Sequence, residues 1–109
     1  AMRTYREIAA RQRIQCLIWG HVSDGNVHPN LIPRTVDEAN RAPIALLEMG
    51  RAAIALGGAP MAEHGIGRNQ IKQHLLRDLY GSAGVASMRA VKRALDPRNV
   101  LAPGIIFSR

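Results

Sequence analysis

The sequence predicts an α+β domain in which helices cover one face of a small antiparallel sheet, and three observations lead there. A β-prone run ends in the turn Ser23-Asp24-Gly25-Asn26 and returns as a second β-compatible run. Three apolar stripes at helical spacing follow it. Glycine or proline stands at the ends of these stripes and strands, so each element is short and separately closed.

Residues 3–11 favour helix. Gln15 to Trp19 form a β-prone run that stops at Gly20, which predicts a strand over about 14–21. Asp24-Gly25 between two β-compatible segments is the chemistry of a two-residue hairpin turn, and Asn26 to Ile32 is the partner strand. With Asp24 and Gly25 as the loop, Ser23 faces Asn26, Val22 faces Val27 and His21 faces His28. Thr35-Val36-Asp37-Glu38 reads as a capping box, with Pro43 as an alternative helix start. Leu46, Met49, Ala53 and Leu56 give the first apolar stripe, closed by Gly57-Gly58.

A short segment around Ala59 to Ala62 reads as a third strand. Glu63-His64-Gly65-Ile66-Gly67 is then a turn opening a helix that carries Ile71, Leu75, Leu76 and Leu79 as far as Gly81. A last helix, about 83–95, aligns Val85, Met88, Val91 and Leu95 and stops at Asp96-Pro97. Asn99 to Arg109 is irregular. After the first helix the order is β-β-α-β-α-α, with no internal repeat and no low-complexity tract. Two or three strands make a thin sheet, which reads as the remainder of a larger one.

A chain of 109 residues suffices for one small domain with one modest core, and 47% hydrophobic against 21% charged residues is the balance of a folded segment. The net charge of +7 raises anionic partners. The basic residues are scattered along the chain, though, and four aromatics offer little for base stacking, which argues against nucleic acid. Cys16 is the single cysteine, so no disulfide framework exists and a reduced, cytoplasmic setting is expected. No apolar stretch approaches the roughly 20 residues of a spanning helix. Ala1 before Met2 reads as a remnant of tag removal.

The predicted hairpin places His21 and His28 opposite each other, with Cβ atoms roughly 4.5–5.5 Å apart, and alternation adds Asn30 to the face of His28. Paired imidazoles suit a divalent ion. They are equally compatible with a solvated or backbone-bonded pair. Glu63 and His64 supply further candidates at the mouth of a glycine-rich turn, where backbone can approach a ligand closely. Each alone also reads as an exposed side chain at a helix N-terminus. Cys16, Trp19 and His74 read as packing or boundary residues. Arg68 and Lys72 read as a solvated helix face that can also attract an anion.

Three motifs in order carry a family resemblance: Gly20-His21-Val22-Ser23-Asp24-Gly25-Asn26-Val27-His28-Pro29-Asn30, then Gly57-Gly58-Ala59-Pro60-Met61-Ala62-Glu63-His64-Gly65-Ile66-Gly67-Arg68, then Leu95-Asp96-Pro97 with Pro103-Gly104. From about residue 14 onward the sequence resembles the C-terminal end of the flavin-linked 2-hydroxyacid dehydrogenases and oxidases, including the glycolate oxidase flavin subunit, D-lactate dehydrogenase and D-2-hydroxyglutarate dehydrogenase. The resemblance implies that residues 1–109 are a C-terminal fragment of the substrate-binding cap domain. It implies that His21, His28 and Glu63 bind zinc or manganese, that His64 is the general base, that Asn30 contacts the substrate carboxylate and that Asn26 binds the cofactor. Ser23, Ala62 and Ala102 depart from the family pattern, which has glycine at the first two positions and asparagine at the third.

The implied activity is oxidation of a small 2-hydroxy acid, with the metal holding the substrate and hydride passing to FAD. FAD would be bound mainly by an upstream domain of the same polypeptide, leaving the isolated fragment inactive and its apolar surface free to self-associate. Two alternatives stand beside this reading: a related flavin oxidase with a vestigial metal site, and a small basic interaction module without catalysis.

Overall fold

The computed structural model describes residues 1–107, so the last two residues of the irregular tail lie outside the described residues. Helix α1 covers Met2–Arg11 and buries Tyr5, Ile8 and Ala9, the spacing of one helical face. Arg13 adopts a positive φ of 54°, and Ile14 N donates to Ala9 O at 3.0 Å, which turns the chain back along the helix into the sheet. Strands β1 (Gln15–His21) and β2 (Asn26–Ile32) form one antiparallel pair. Helices α2 (Val36–Ala55) and α3 (Gln70–Leu95) complete the fold.

The sheet has two unlike faces, because side chains alternate along each strand. Cys16, Ile18, Val27 and Leu31 pack on the core built by Tyr5, Ile8 and Ala9 of α1 and Ala45, Met49 and Ala53 of α2. Helices α1 and α2 therefore lie on one face, as the α+β reading expects, and α3 packs on α2. The other face carries Leu17, Trp19 and His21 on β1 and Asn26, His28 and Asn30 on β2.

The hairpin register differs from the predicted one. A single 3-10 turn, Val22–Asp24, followed by Gly25 at φ 76°, replaces the two-residue loop. His21 pairs with Asn26, and Trp19 pairs with His28. The longer loop shifts the pairing by two residues. Side chains repeat every two residues, so the shift leaves His21 and His28 on the same face as diagonal neighbours, where a one-residue slip would have separated them.

Thr35 caps α2, its hydroxyl accepting from Glu38 N at 3.1 Å, and the helix runs through Pro43. The capping box is the true start. Proline inside costs one backbone bond, but Pro43 is exposed and the buried stripe Ala45, Met49, Gly50 and Ala53 continues beyond it. At the other end Gly57, with φ 80°, closes α2: Gly57 N donates to Ile54 O and Gly58 N to Ala53 O, each at 2.9 Å.

Two further expectations are corrected. Residues 59–62 form turns, leaving the sheet with two strands among the described residues. Pro60 and the preceding glycine pair disfavour a ladder there. The helix expected directly after Glu63-His64 begins only at Gln70, capped by the Asn69 side chain accepting from Lys72 N at 3.1 Å, so Glu63 stands on a loop and not at a helix N-terminus. Gly81, at φ 68° and ψ 176°, breaks α3 into the two helical stretches expected. α2 and α3 cross closely at Gly50, where an added Cβ would lie 2.2 Å from Leu75 Cδ1.

Candidate metal centre

The exposed sheet face brings the hairpin imidazoles forward, and the loop between α2 and α3 carries Glu63 and His64 over them. Glu63 Oε2 lies 3.0 Å from His28 Nε2 and 3.8 Å from His64 Nε2, while Oε1 lies 3.8 Å from His21 Nε2. One carboxylate thus touches three imidazoles. The rings of His28 and His64 have centroids 5.2 Å apart, and those of His21 and His28 6.2 Å. His28, Glu63 and His64 form the tighter group, each offering a ligand atom within 4.8 Å of the others.

Asn26 Nδ2 donates to Glu63 Oε2 at 2.8 Å. That hydrogen bond, with His28, His64 and His21 nearby, holds the Glu63 carboxyl below its ordinary value against the opposing effect of desolvation. The carboxylate is kept ionised, the form that ligates a cation. His28 is the least exposed of the three imidazoles, with 22% of its side chain accessible against 65% for His21 and 64% for His64. An ionised carboxylate among imidazole nitrogens is the donor chemistry of zinc and manganese sites.

All four residues singled out for metal and proton chemistry converge, and Asn30 lies on the same sheet face. Its Nδ2 donates to the His28 carbonyl at 2.8 Å, which steadies the backbone beneath the imidazole. Asn26 occupies a place that the sequence reading did not give it, bonded to Glu63.

A family model described as FAD linked oxidases, C-terminal domain, matches residues 1–106. The chain belongs to that family. It is 37% identical over 110 residues to the Bacillus subtilis glycolate oxidase subunit GlcD, an alignment covering 99% of this chain and 23% of the relative. It is 39% identical over 92 residues to a probable mitochondrial D-lactate dehydrogenase of Danio rerio, covering 83% of this chain and 18% of the relative. The mitochondrial D-lactate dehydrogenase [cytochrome] 1 of Saccharomyces cerevisiae matches at 33% over 104 residues, 95% of this chain and 17% of the relative. The chain spans about a fifth of the length of these relatives.

Two residues that support the site in this family member were not singled out by sequence reasoning. Gly20, at φ 128°, has no room for a side chain, since a Cβ would fall 2.4 Å from His28 Cδ2 and 2.6 Å from Asn26 O. A glycine inside a strand is the available signal for such close approach. Gln73 is buried, and its Nε2 donates to Gly67 O at 3.2 Å and Gly104 O at 3.1 Å. Ile106 N also donates to Gly67 O at 2.8 Å. Gln73 thereby ties the second and third motifs together. Its signal is an amide one helical turn before Leu76, on an otherwise apolar face.

Proposed function

We propose that this domain supplies the metal-binding and proton-transfer side of a flavin-dependent oxidation of a small 2-hydroxy acid, as part of a longer polypeptide whose upstream portion binds FAD. The observation that carries the reading is the contact of Glu63 with His21, His28 and His64, residues drawn from two distant segments. Family membership and relatives named for glycolate and D-lactate support the same chemistry.

His21, His28 and Glu63 would hold the divalent ion, zinc or manganese. Bound there, the ion would supply Lewis-acid chemistry toward the substrate hydroxyl and carboxylate, and FAD held by the upstream portion would supply the hydride acceptor. His64 accepts the hydroxyl proton, with Glu63 stabilising the imidazolium that results. Asn30 orients the substrate carboxylate from the sheet face, and Asn26 keeps Glu63 charged and pointed inward. Loss of one proton to His64 and one hydride from Cα leaves the 2-oxo acid.

A second assignment rests on the tighter grouping of His28, Glu63 and His64. In it His64 is a ligand, and His21 is the residue free to move a proton. Calorimetric titration of Zn²⁺ or Mn²⁺ into the wild type and three alanine variants separates the cases. His28→Ala abolishes binding in both. Under the leading assignment His21→Ala weakens binding strongly and His64→Ala weakly; the reverse order supports the second. Equal affinity in wild type and His28→Ala removes the metal centre and with it the proposed chemistry.

A reduced, cytoplasmic setting belongs to this reading, supported by the lone half-buried Cys16, whereas the zebrafish and yeast relatives are named as mitochondrial. Among the described residues no helix is long and apolar enough to cross a membrane.

A further inference from the structure

Glu63 and His64 stand on a loop, yet donors from outside that loop grip the glycine turn that follows them. Lys72 Nζ donates to Gly65 O at 2.9 Å, Gln73 Nε2 to Gly67 O at 3.2 Å and Ile106 N to the same Gly67 O at 2.8 Å. Gln73 Nε2 also donates to Gly104 O at 3.1 Å, so one amide nitrogen serves a carbonyl of the turn and a carbonyl of the tail. Lys72 is half-buried, whereas Gln73 is only 7% exposed. Water can stand in for the lysine donor, but a buried carbonyl that loses the glutamine goes unpaired.

Gly65 and Gly67 lie at φ 67° and 59°, and neither has a side chain that could fix the turn by packing. From His64 to Gly67 the chain is three residues long, a reach of roughly 10 Å when extended. A shift of the Gly67 carbonyl therefore passes to Glu63 and His64, whose side chains are 42% and 64% accessible and gain little hold from burial. Resting on the metal-binding function proposed above, we infer that Gln73 is a positioning residue for that centre. It fixes Gly67, and through Gly67 the place of Glu63 and His64 against the hairpin, which links metal affinity to the seating of the tail at Gly104 and Ile106.

The test compares Gln73→Leu with Asp96→Asn in the full chain. Asp96 holds the tail at Val100 and Leu101, away from the glycine turn, so its variant is the control for lost stability. In the metal-free protein the Asn26 side-chain amide protons, bonded to Glu63, are expected to shift and exchange faster in Gln73→Leu and to keep their wild-type resonances in Asp96→Asn. Calorimetric titration with Zn²⁺ is expected to give a Kd about tenfold weaker for Gln73→Leu and within about twofold of wild type for Asp96→Asn. In the wild type, Zn²⁺ is expected to slow exchange of the Ile106 amide, because opening of a tail coupled to the centre competes with the bound ion.

Wild-type Asn26 resonances in Gln73→Leu overturn the inference. Equal loss of affinity in both variants does so too, since it marks general destabilisation. Should Gln73→Leu fail to fold, an Ile106 exchange rate unmoved by Zn²⁺ in the wild type overturns it instead. A wild type that binds no Zn²⁺ overturns the metal centre proposed above, while the metal-free Asn26 resonances still decide for or against Gln73.

Discussion

Asn26 Nδ2 donates to Glu63 Oε2 at 2.8 Å, joining two residues that are 37 positions apart. The bond fixes the loop carboxylate against the hairpin from which His21 and His28 project. It also lowers the Glu63 pKa more than any of the three neighbouring imidazoles does.

Replacing Asn26 by Ala removes that donor while leaving every proposed ligand in place. The Glu63 carboxyl is expected to titrate at higher pH, read from its side-chain carbon shift in the metal-free protein. Metal affinity is expected to fall about 10–100-fold, the usual cost of losing a group that orients a ligand. An unchanged titration in Asn26→Ala would show that the hydrogen bond does not hold the acid.

Gly20→Ala tests the room left for the His28 ring. The added Cβ meets His28 Cδ2 and the Asn26 carbonyl inside contact distance, at a backbone φ of 128° that disfavours any side chain. Stability is expected to drop by about 2 kcal/mol in denaturant titration, with metal affinity falling at least about tenfold as the imidazole is displaced. Wild-type affinity in this variant would mean that the ring and strand relax freely.

Gln73→Leu keeps the volume and helical propensity of the position but withdraws both amide hydrogen bonds. Gly104 O and one lone pair of Gly67 O lose their partner. The expected cost is about 1–3 kcal/mol, with faster amide exchange at Ile106, whose N–H bonds to the same Gly67 carbonyl. No change at Ile106 would separate the tail from the glycine turn.

Asp96 is buried at the end of α3, where Lys92 pairs with Oδ2 while Val100 N and Leu101 N donate to Oδ1 and Oδ2 at 3.0 and 2.9 Å. The Lys92 hydrogen bond, then those from Leu101 and Val100, hold its carboxyl below the ordinary 3.8 despite desolvation. A carboxyl with a depressed folded pKa contributes stability that is complete above its unfolded value and lost as pH falls through the folded one. Asp96→Asn is therefore expected to lower Tm at pH 7, and the gap from wild type to close below about pH 3.8. A constant gap down to pH 2 would contradict the linkage.

The sequence by itself determined much of the fold. The Thr35 cap, the Gly57-Gly58 closure and the Gly81 break are local backbone chemistry, written within a few residues of where they act. It also determined that His21 and His28 share a sheet face, because parity survives any even change of register. Local pattern misjudged the loop after His21, since Asp-Gly favours a two-residue turn but the chain closes through a 3-10 turn with Gly25 as its cap. Reading 59–62 as a strand failed because Pro60 and the preceding glycine pair favour a turn, closed by Ala62 N donating to Ala59 O at 3.2 Å, over pairing with either open edge of the sheet. Only the tertiary structure decided which group stands beside which: the Asn26–Glu63 bond, the approach of His28 over Gly20 and the Gln73 tie. These depend on how α2 and α3 pack against each other and set the path of the loop between them, and no period or spacing in the chain encodes a distance between segments that far apart.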